Sequence, residues 1–304
     1  MHGFIHPTAV LEAGCRIGAG VHVGPFCVVG REVTLGDGVH LDSHVRVAGC
    51  TTVGTGTVVH SFATVGAMPQ DLKYDGEASV LRVGPGCRIG EYAHLSGGTA
   101  AGGGETLVGQ GSLIMSHCHV AHDCILGDGV LLASSAALAG HVHVGDGARI
   151  SGFSAVHQKV SIGRGAFVGG GSVLANDLIP HGLAVGNRAH LLGLNLRGLR
   201  RRLVSPAELR ALLSAFRYIF EVPSDGFYKP LSLAALPTVR ERAAACAAAF
   251  DPSRYPQLSE LVGFVLGRRL LGAGSVGARA GSGEHAATQH SDRALCLPPE
   301  HGTK

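Results

Sequence analysis

The chain has 304 residues, a net charge of +3 and a pI near 8.5, which is too weakly basic to indicate a nucleic-acid-binding surface. Its 47 glycines, its lack of tryptophan and its 15% of charged residues exclude a core of large side chains and favour thin, repeated coils. The N-terminal residues lack the basic and apolar segments of a signal peptide, and no apolar run could span a membrane, so we expect a cytoplasmic protein.

A six-residue aliphatic repeat runs through most of the first 174 residues. It starts at Ile5 and keeps its phase to Val65, resumes at Val83, and restarts one residue out of phase at Val108. Small residues, several of them cysteines, recur four places after the aliphatic residue, as expected if both positions point into a narrow core. A fixed short period of this kind is typical of a solenoid. We therefore predict a β-solenoid over residues 1–180.

Two interruptions and a change of composition divide the chain. Residues 67–79 are polar and residues 97–106 are glycine-rich, so both segments should leave the solenoid as loops that carry binding groups. Residues 181–271 form a predicted helical domain. Its three expected helices run from a Ser205 capping box to about Phe220, from Pro237 to Phe250, and from Gln257 to Leu271. Residues 272–304 are predicted to be a disordered tail.

Histidines cluster within the third run of the repeat. If three hexads make one coil of a triangular prism, residues 18 apart lie about 4.8 Å above one another. His122, Gly140 and Gln158 then form a column, with Asp123, His141 and His157 beside it. A histidine next to a carboxylate suits general base catalysis, and the bare backbone of Gly140 could approach an oxyanion. Since no serine or cysteine is evidently poised as a nucleophile, we expect a substrate hydroxyl or amine to attack an acyl donor directly.

Five segments give the chain a specific resemblance. They are QDLKYDGE (residues 70–77), HVAHDC (119–124), LAGHV (138–142), AVHQ (155–158) and NLRGLRRR (195–202). In this order and spacing they resemble the UDP-N-acetylglucosamine O-acyltransferases of lipid A biosynthesis, over about residues 5–271. The resemblance implies a left-handed parallel β-helix with a small C-terminal helical domain, assembled as a homotrimer with its active sites between the prisms. It implies transfer of an (R)-3-hydroxyacyl group from acyl carrier protein to the 3-hydroxyl of UDP-N-acetylglucosamine, with no cofactor and no metal.

The resemblance also implies a role for each matching residue. His122 would be the general base, Asp123 its orienting neighbour and Gly140 the oxyanion donor. The substrate-binding residues would be Gln70, Asp71, Lys73, His119, His141, Gln158, Asn195, Arg201 and Arg202. His157 and Gly170 would line the acyl groove, where a glycine leaves room for a long chain.

Several positions depart from the family pattern, and other interpretations remain open. Ser96-Gly97 replaces a His-Arg pair, while Arg188, Arg197 and Lys159 replace other residues near the cleft, so donor and acceptor specificity could differ. One alternative is the N-acyltransferase of the same pathway, which carries an extra N-terminal domain, or an enzyme with an altered nucleotide-sugar acceptor. Others are a zinc enzyme similar to carbonic anhydrase, using His117 and His122, and a scaffold without activity.

Overall fold

The computed structural model describes residues 3–202, 204–220 and 239–267. The predicted solenoid is a left-handed parallel β-helix, the exception to the usual right-handed crossover. Its first run contains β1 (Phe4–Ile5), β2 (Val10–Leu11), β3 (Arg16–Ile17), β4 (His22–Val23), β5 (Val28–Val29), β6 (Thr34–Leu35), β7 (His40–Leu41), β8 (Arg46–Val47), β9 (Cys50–Val53), β10 (Val58–Val59) and β11 (Thr64–Ala67).

The later runs repeat the pattern of very short strands. They contain β12 (Val80–Val83), β13 (Arg88–Ile89), β14 (His94–Ser96), β15 (Glu105–Val108), β16 (Leu113–Ile114), β17 (His119–Val120), β18 (Ile125–Leu126), β19 (Leu131–Leu132), β20 (Ala137–Leu138), β21 (His143–Val144), β22 (Arg149–Ile150), β23 (Ala155–Val156), β24 (Ser161–Ile162), β25 (Phe167–Val168) and β26 (Val173–Leu174). A hairpin follows, β27 (Gly182–Val185) and β28 (His190–Leu194).

Every third strand joins the same parallel sheet, which gives the prism three faces. Sheet A runs from β1 through β25 to the hairpin, sheet B from β2 to β26, and sheet C from β3 to β24. In an uninterrupted coil the paired residues are 18 apart, as for Phe4 and His22. We name the three lengthwise edges of the prism the A–B, B–C and C–A corners, after the sheets that meet there.

The predicted inward positions form the core. From Val23 to Leu174 the repeated aliphatic residues are at most 3% exposed. The small positions are buried with them, including Cys118 at 1% and Cys124 at 0%. Because each coil adds only a thin apolar slice, small inward residues are what lets the coils close.

The strand pairing shows where the two loops leave the prism. Paired residues are 30 apart across the first loop (Val58 with Arg88) and 25 apart across the second (Arg88 with Leu113), instead of 18. The insertions are therefore 12 and 7 residues, which match residues 68–79 and 98–104. Both loops are shorter than predicted. Ala67 still pairs with Ser96, and Glu105 and Thr106 pair with Val80 and Leu81.

The C-terminal part begins later than predicted. Residues 182–194 form the antiparallel hairpin that extends sheet A, so the β-structure continues past residue 180. The helices are α1 (Leu196–Arg201), α2 (Pro206–Phe220), α3 (Val239–Ala249) and α4 (Pro256–Val265). The Ser205 hydroxyl caps α2 by accepting the amide of Glu208 at 3.1 Å, as predicted.

Two features of this part were not predicted. The segment NLRGLRRR, for which no helix was predicted, contains the short helix α1. Helix α4 ends at Val265 rather than Leu271, because Gly267 adopts a left-handed φ of 77°, a conformation that commonly terminates helices. Pro237 and the tail at 272–304 lie outside the described residues. Among the described residues, no helix is long and apolar enough to cross a membrane.

Candidate active site

The predicted column of residues exists at the B–C corner. The amide of His141 donates to the carbonyl of His122 at 3.0 Å, and the amide of Lys159 donates to the carbonyl of Gly140 at 2.9 Å. These two bonds stack three successive coils, so His122, Gly140 and Gln158 lie above one another as the 18-residue spacing predicted.

His122 and Asp123 form a partly buried pair. His122 Nδ1 lies 2.7 Å from Asp123 Oδ2, and the side chains are 12% and 1% exposed. An ionised carboxylate can only accept, so Nδ1 carries the proton and the lone pair is left on Nε2. No other described residue forms a hydrogen bond with that Nε2. The imidazole is therefore oriented to take a proton from a ligand in the cleft.

Gly140 lies directly over the His122 ring. A Cβ at this position would lie 2.5 Å from Cε1 and 2.6 Å from Nε2 of His122, closer than real Cβ contacts. The Gly140 amide donates to no acceptor among the described residues. A glycine at this position therefore leaves room for the imidazole ring, and its N–H is available to donate to an oxyanion.

The Asp123 carboxylate is held by a residue that the sequence did not single out. The Thr99 amide donates to Oδ1 at 2.8 Å and the Thr99 hydroxyl donates to Oδ2 at 2.7 Å. The Asp123 amide in turn donates to the Thr106 hydroxyl at 2.8 Å. The one sequence feature that could have pointed to Thr99 is its place as a threonine inside the glycine-rich second loop.

Three further histidines lie around the pair, and burial lowers the pKa of each. His119 stacks on His94 with ring centroids 5.2 Å apart, and burial lowers the pKa of both side chains. Burial also lowers the pKa of His141, whose ring packs edge-on against His122 at 5.0 Å. Burial therefore disfavours the protonated form of these three histidines.

The first loop contributes Gln70, Asp71 and Lys73. Gln70 and Lys73 are exposed, and the amide of Lys73 donates to Asp71 Oδ1 at 3.0 Å in a tight turn. The carboxylate of Asp71 is close enough to His141 to oppose the lowering of its pKa. The loop therefore leans towards the B–C corner, with its polar groups free to contact a ligand.

Three of the predicted substrate-binding residues lie at a different corner. Asn195, Arg201 and Arg202 line a cleft of about 650 Å³ beside the C–A corner, together with Arg149 and Arg197. The side chain of Asn195 is already used within the protein: it accepts the amide of Gly198 and donates to the carbonyl of Gly165, both at 3.0 Å. The arginines give this cleft a positive charge.

The remaining predicted residues divide between two corners. His157 and Gln158 are exposed at the B–C corner, one coil above Gly140. Gly170 follows β25 and lies at the A–B corner. The structure thus brings the predicted catalytic residues together and places Asp71 of the first loop near His141, but it does not bring Gly170 or the arginines to them within one chain.

Comparisons with known proteins give the family. The family model described as Udp N-acetylglucosamine O-acyltransferase, domain 2, matches residues 177–269. The acyl-[acyl-carrier-protein]–UDP-N-acetylglucosamine O-acyltransferase of Mesorhizobium japonicum is 54% identical over 71% of this chain and 78% of the relative. The chain belongs to the UDP-N-acetylglucosamine O-acyltransferase family.

A second relative and a solved structure agree with this assignment. The corresponding enzyme of Azorhizobium caulinodans is 55% identical over 71% of this chain and 80% of the relative. The solved UDP-N-acetylglucosamine acyltransferase of Campylobacter jejuni superposes with a TM-score of 0.78 at 34% identity, over 86% of this chain and 96% of that chain. This family member is an enzyme, so the scaffold interpretation is wrong, and the named relatives are O-acyltransferases rather than N-acyltransferases.

The pair of histidines behind the zinc interpretation is not brought together. His117 lies at the A–B corner with its ring stacked on Tyr92 at 4.9 Å, whereas His122 lies at the B–C corner. One group among the described residues has metal-ligand spacing, formed by His122, Asp123 and His141. Its carboxylate is already engaged by Thr99 and His122.

The departures from the family pattern take different structural forms. Ser96 is fully buried and its hydroxyl lacks a hydrogen-bond partner among the described residues. A side chain at Gly97 would overlap the Ser79 hydroxyl. Arg188 and Lys159 are exposed residues with left-handed φ angles of 64° and 65°. Ser96 and Gly97 therefore alter the packing beneath the second loop. Arg188 and Lys159 alter the charge of the exposed surface.

Proposed function

We propose that this family member transfers an (R)-3-hydroxyacyl group from acyl carrier protein to the 3-hydroxyl of UDP-N-acetylglucosamine, the first step of lipid A biosynthesis. The observation that carries the proposal is the His122–Asp123 pair, whose Nε2 has no hydrogen-bond partner among the described residues and lies against Gly140. A general base and an oxyanion donor side by side are what a single acyl transfer to a hydroxyl requires.

The proposed reaction passes through one tetrahedral intermediate. His122 Nε2 takes the proton of the sugar hydroxyl as that oxygen attacks the thioester carbonyl carbon. The carbonyl oxygen becomes negative and is stabilised by the Gly140 amide. The carbon–sulfur bond then breaks, and the leaving thiolate takes the proton back from the His122 imidazolium. Asp123 stabilises the imidazolium while it exists and keeps the neutral ring in the required tautomer.

The proposed substrate contacts use the groups around this pair. Gln70, Asp71 and Lys73 would contact the sugar and the phosphopantetheine arm, and His119, His141 and Gln158 would line the cleft. Arg201 and Arg202 would hold the diphosphate, since guanidinium groups match phosphate oxygens. Asn195 would act on the nucleotide indirectly, because its side chain accepts the Gly198 amide and so holds the start of α1, the helix that carries Arg201.

Distribution of these groups over three corners supports a homotrimer. Sheet C is partly covered by the protein's own helix α4, where Glu260 and Phe264 share a small cavity with Ile125 and His143. Sheets A and B are then the faces open to other copies. If the A–B corner pointed to a threefold axis, the His122 corner of one copy would face the arginine cleft of the next.

The surface of the A–B corner fits this arrangement. Five exposed rings stack along it at spacings of 4.8 to 5.0 Å. They belong to Phe26, His44, Phe62, Tyr92 and His117. An exposed column of aromatic rings of this length fits a protein–protein contact. Light scattering should give about 93 kDa, three times 31.1 kDa, and a Phe62→Asp, Tyr92→Asp double variant should dissociate and lose activity together.

The reaction is tested with purified protein, UDP-N-acetylglucosamine and 3-hydroxyacyl carrier proteins of graded length, with products identified by mass spectrometry. The 3-amino analogue of the acceptor is assayed in parallel, because Ser96, Arg188 and Arg197 could alter acceptor choice. His122→Ala should remove nearly all turnover without changing the trimer, and His6→Ala in the first coil is the matched control. A His122→Ala enzyme with more than about a tenth of the wild-type rate would show that His122 is not the base.

The cysteine pattern is consistent with a reducing compartment. Cys27, Cys87, Cys118 and Cys124 are buried as free thiols in the prism core, where no partner cysteine is bonded to them. A cytoplasmic location, as expected from the sequence, remains part of this proposal.

A further inference from the structure

The Asp123 carboxylate receives more hydrogen bonds than its place beside His122 explains. Three donors reach it: His122 Nδ1 at 2.7 Å, the Thr99 amide at 2.8 Å and the Thr99 hydroxyl at 2.7 Å. Two of the three come from one residue of the second loop. Thr99 and Asp123 are 1% and 3% exposed, so water does not compete for these bonds.

The second loop is shaped to lie on this carboxylate. A Cβ at Gly102 would overlap the Asp123 carboxyl group itself, and one at Gly98 would overlap the backbone of Glu105. The turn after Thr99 is closed by the amides of Gly102 and Gly104, which donate to the Thr99 carbonyl at 3.0 and 2.7 Å. The glycines of the loop therefore allow the close approach that places Thr99.

Thr99 fixes both oxygens of the carboxylate at once. A carboxylate held only by His122 Nδ1 could rotate about its Cβ–Cγ bond and lose the imidazole. With Oδ1 held by the Thr99 amide and Oδ2 by its hydroxyl, one orientation remains, and that orientation aims Oδ2 at Nδ1. Thr106 acts differently, since its hydroxyl accepts the Asp123 amide and so holds the backbone rather than the carboxylate.

We propose that Thr99 is a positioning residue of this enzyme: its amide and hydroxyl orient the Asp123 carboxylate, which in turn orients His122. The inference rests on the proposed role of His122 as general base. It assigns the second loop a part in catalysis that needs no contact with substrate. At metal sites, partners that orient a ligating histidine change affinity or activity by about 10- to 100-fold, and we expect an effect of that order here.

The test compares Thr99→Val with Thr99→Ser. Valine keeps the shape and the amide but removes the hydroxyl donor, and serine restores that donor. Thr57→Val is the matched control, because the Thr57 hydroxyl is also fully buried and donates to the carbonyl of Gly84 at 3.0 Å, far from the site. We expect Thr99→Val to lower kcat about 10-fold or more, with KM for UDP-N-acetylglucosamine unchanged within about twofold.

The pH profile separates positioning from a merely structural role. If the carboxylate turns away, His122 loses the charge that favours its protonated form, and the acid limb of kcat/KM moves to lower pH in Thr99→Val but not in Thr99→Ser or Thr57→Val. Gly102→Ala keeps Thr99 but places a methyl group on the carboxylate, and it should move the limb in the same direction. The proposal would be overturned if the acid limb of the kcat/KM profile stayed at the wild-type pH in Thr99→Val, or if Thr57→Val lost as much rate.

A spectroscopic readout makes the result independent of turnover. In protein with 15N-labelled histidine, the deshielded Nδ1 proton of His122 is assigned by its loss in His122→Ala. It should persist in Thr99→Ser and vanish or move upfield in Thr99→Val. Persistence in Thr99→Val refutes the positioning role even if the enzyme proves to have another activity. An active His122→Ala enzyme would refute the role of His122 as general base, on which this inference rests, and the proton signal tells the two failures apart.

Discussion

Substitution of Gly140 by alanine tests whether the His122 imidazole needs the space that this glycine provides. The added Cβ would lie 2.5 Å from Cε1 and 2.6 Å from Nε2, whereas ordinary contacts start at about 3.4 Å, so the ring must move by about 0.9 Å. The ring has little freedom, because its Nδ1 is bound to Asp123 at 2.7 Å and the His141 amide of the next coil donates to the His122 carbonyl at 3.0 Å.

The expected loss follows from that displacement. A misplacement of about 1 Å at a reacting group can cost about 100-fold in rate, which corresponds to about 2.7 kcal/mol of transition-state stabilisation. Alanine keeps the backbone N–H, so the oxyanion donor survives and the loss reports the position of His122. We expect kcat/KM to fall about 100-fold in the mass-spectrometric assay.

A matched control separates this effect from general strain. Gly30→Ala adds the same methyl group at another corner position, where the nearest atom is 3.4 Å away. It should leave the rate and the melting temperature close to wild type. Full activity of Gly140→Ala, or an equal loss in Gly30→Ala, would refute the reasoning.

Three further predictions follow from burial and space. Gly170→Met should shift donor preference to shorter acyl chains in the product assay, because an added Cβ meets nothing closer than 3.5 Å and the larger side chain would fill the groove instead. Burial and the nearby Arg202 lower the pKa of His181 to about 4, so the folded state resists protonation. Stability should therefore fall as pH drops from about 6.5 to 4, by up to about 3 kcal/mol more than in His181→Gln, as measured by calorimetry. At pH 8, iodoacetamide should alkylate the exposed Cys50 but not Cys118, whose pKa burial raises to about 11; peptide mass spectra decide this.

Local pattern was enough to predict the prism. The aliphatic period of six identified the inward residues from Val23 to Leu174, because every coil repeats the same inward position and the same corner. The 18-residue spacing then placed His122, Gly140 and Gln158 in one column. Loop boundaries were predicted less well, since pairing with Val80 and Leu81 decides that Glu105 and Thr106 are strand.

The sequence by itself determined the fold, the family resemblance and the His122–Asp123 pair, because all three depend on regular spacing or on neighbouring residues. Only the tertiary structure decided that Thr99 holds the carboxylate, because an irregular loop of 7 extra residues follows no period that could place it. It also decided that Arg202 lies beside another corner than His122. Register along a coil is local, whereas the place of Arg202 depends on contacts between residues far apart in the sequence, such as its hydrogen bond to the Asp146 carbonyl.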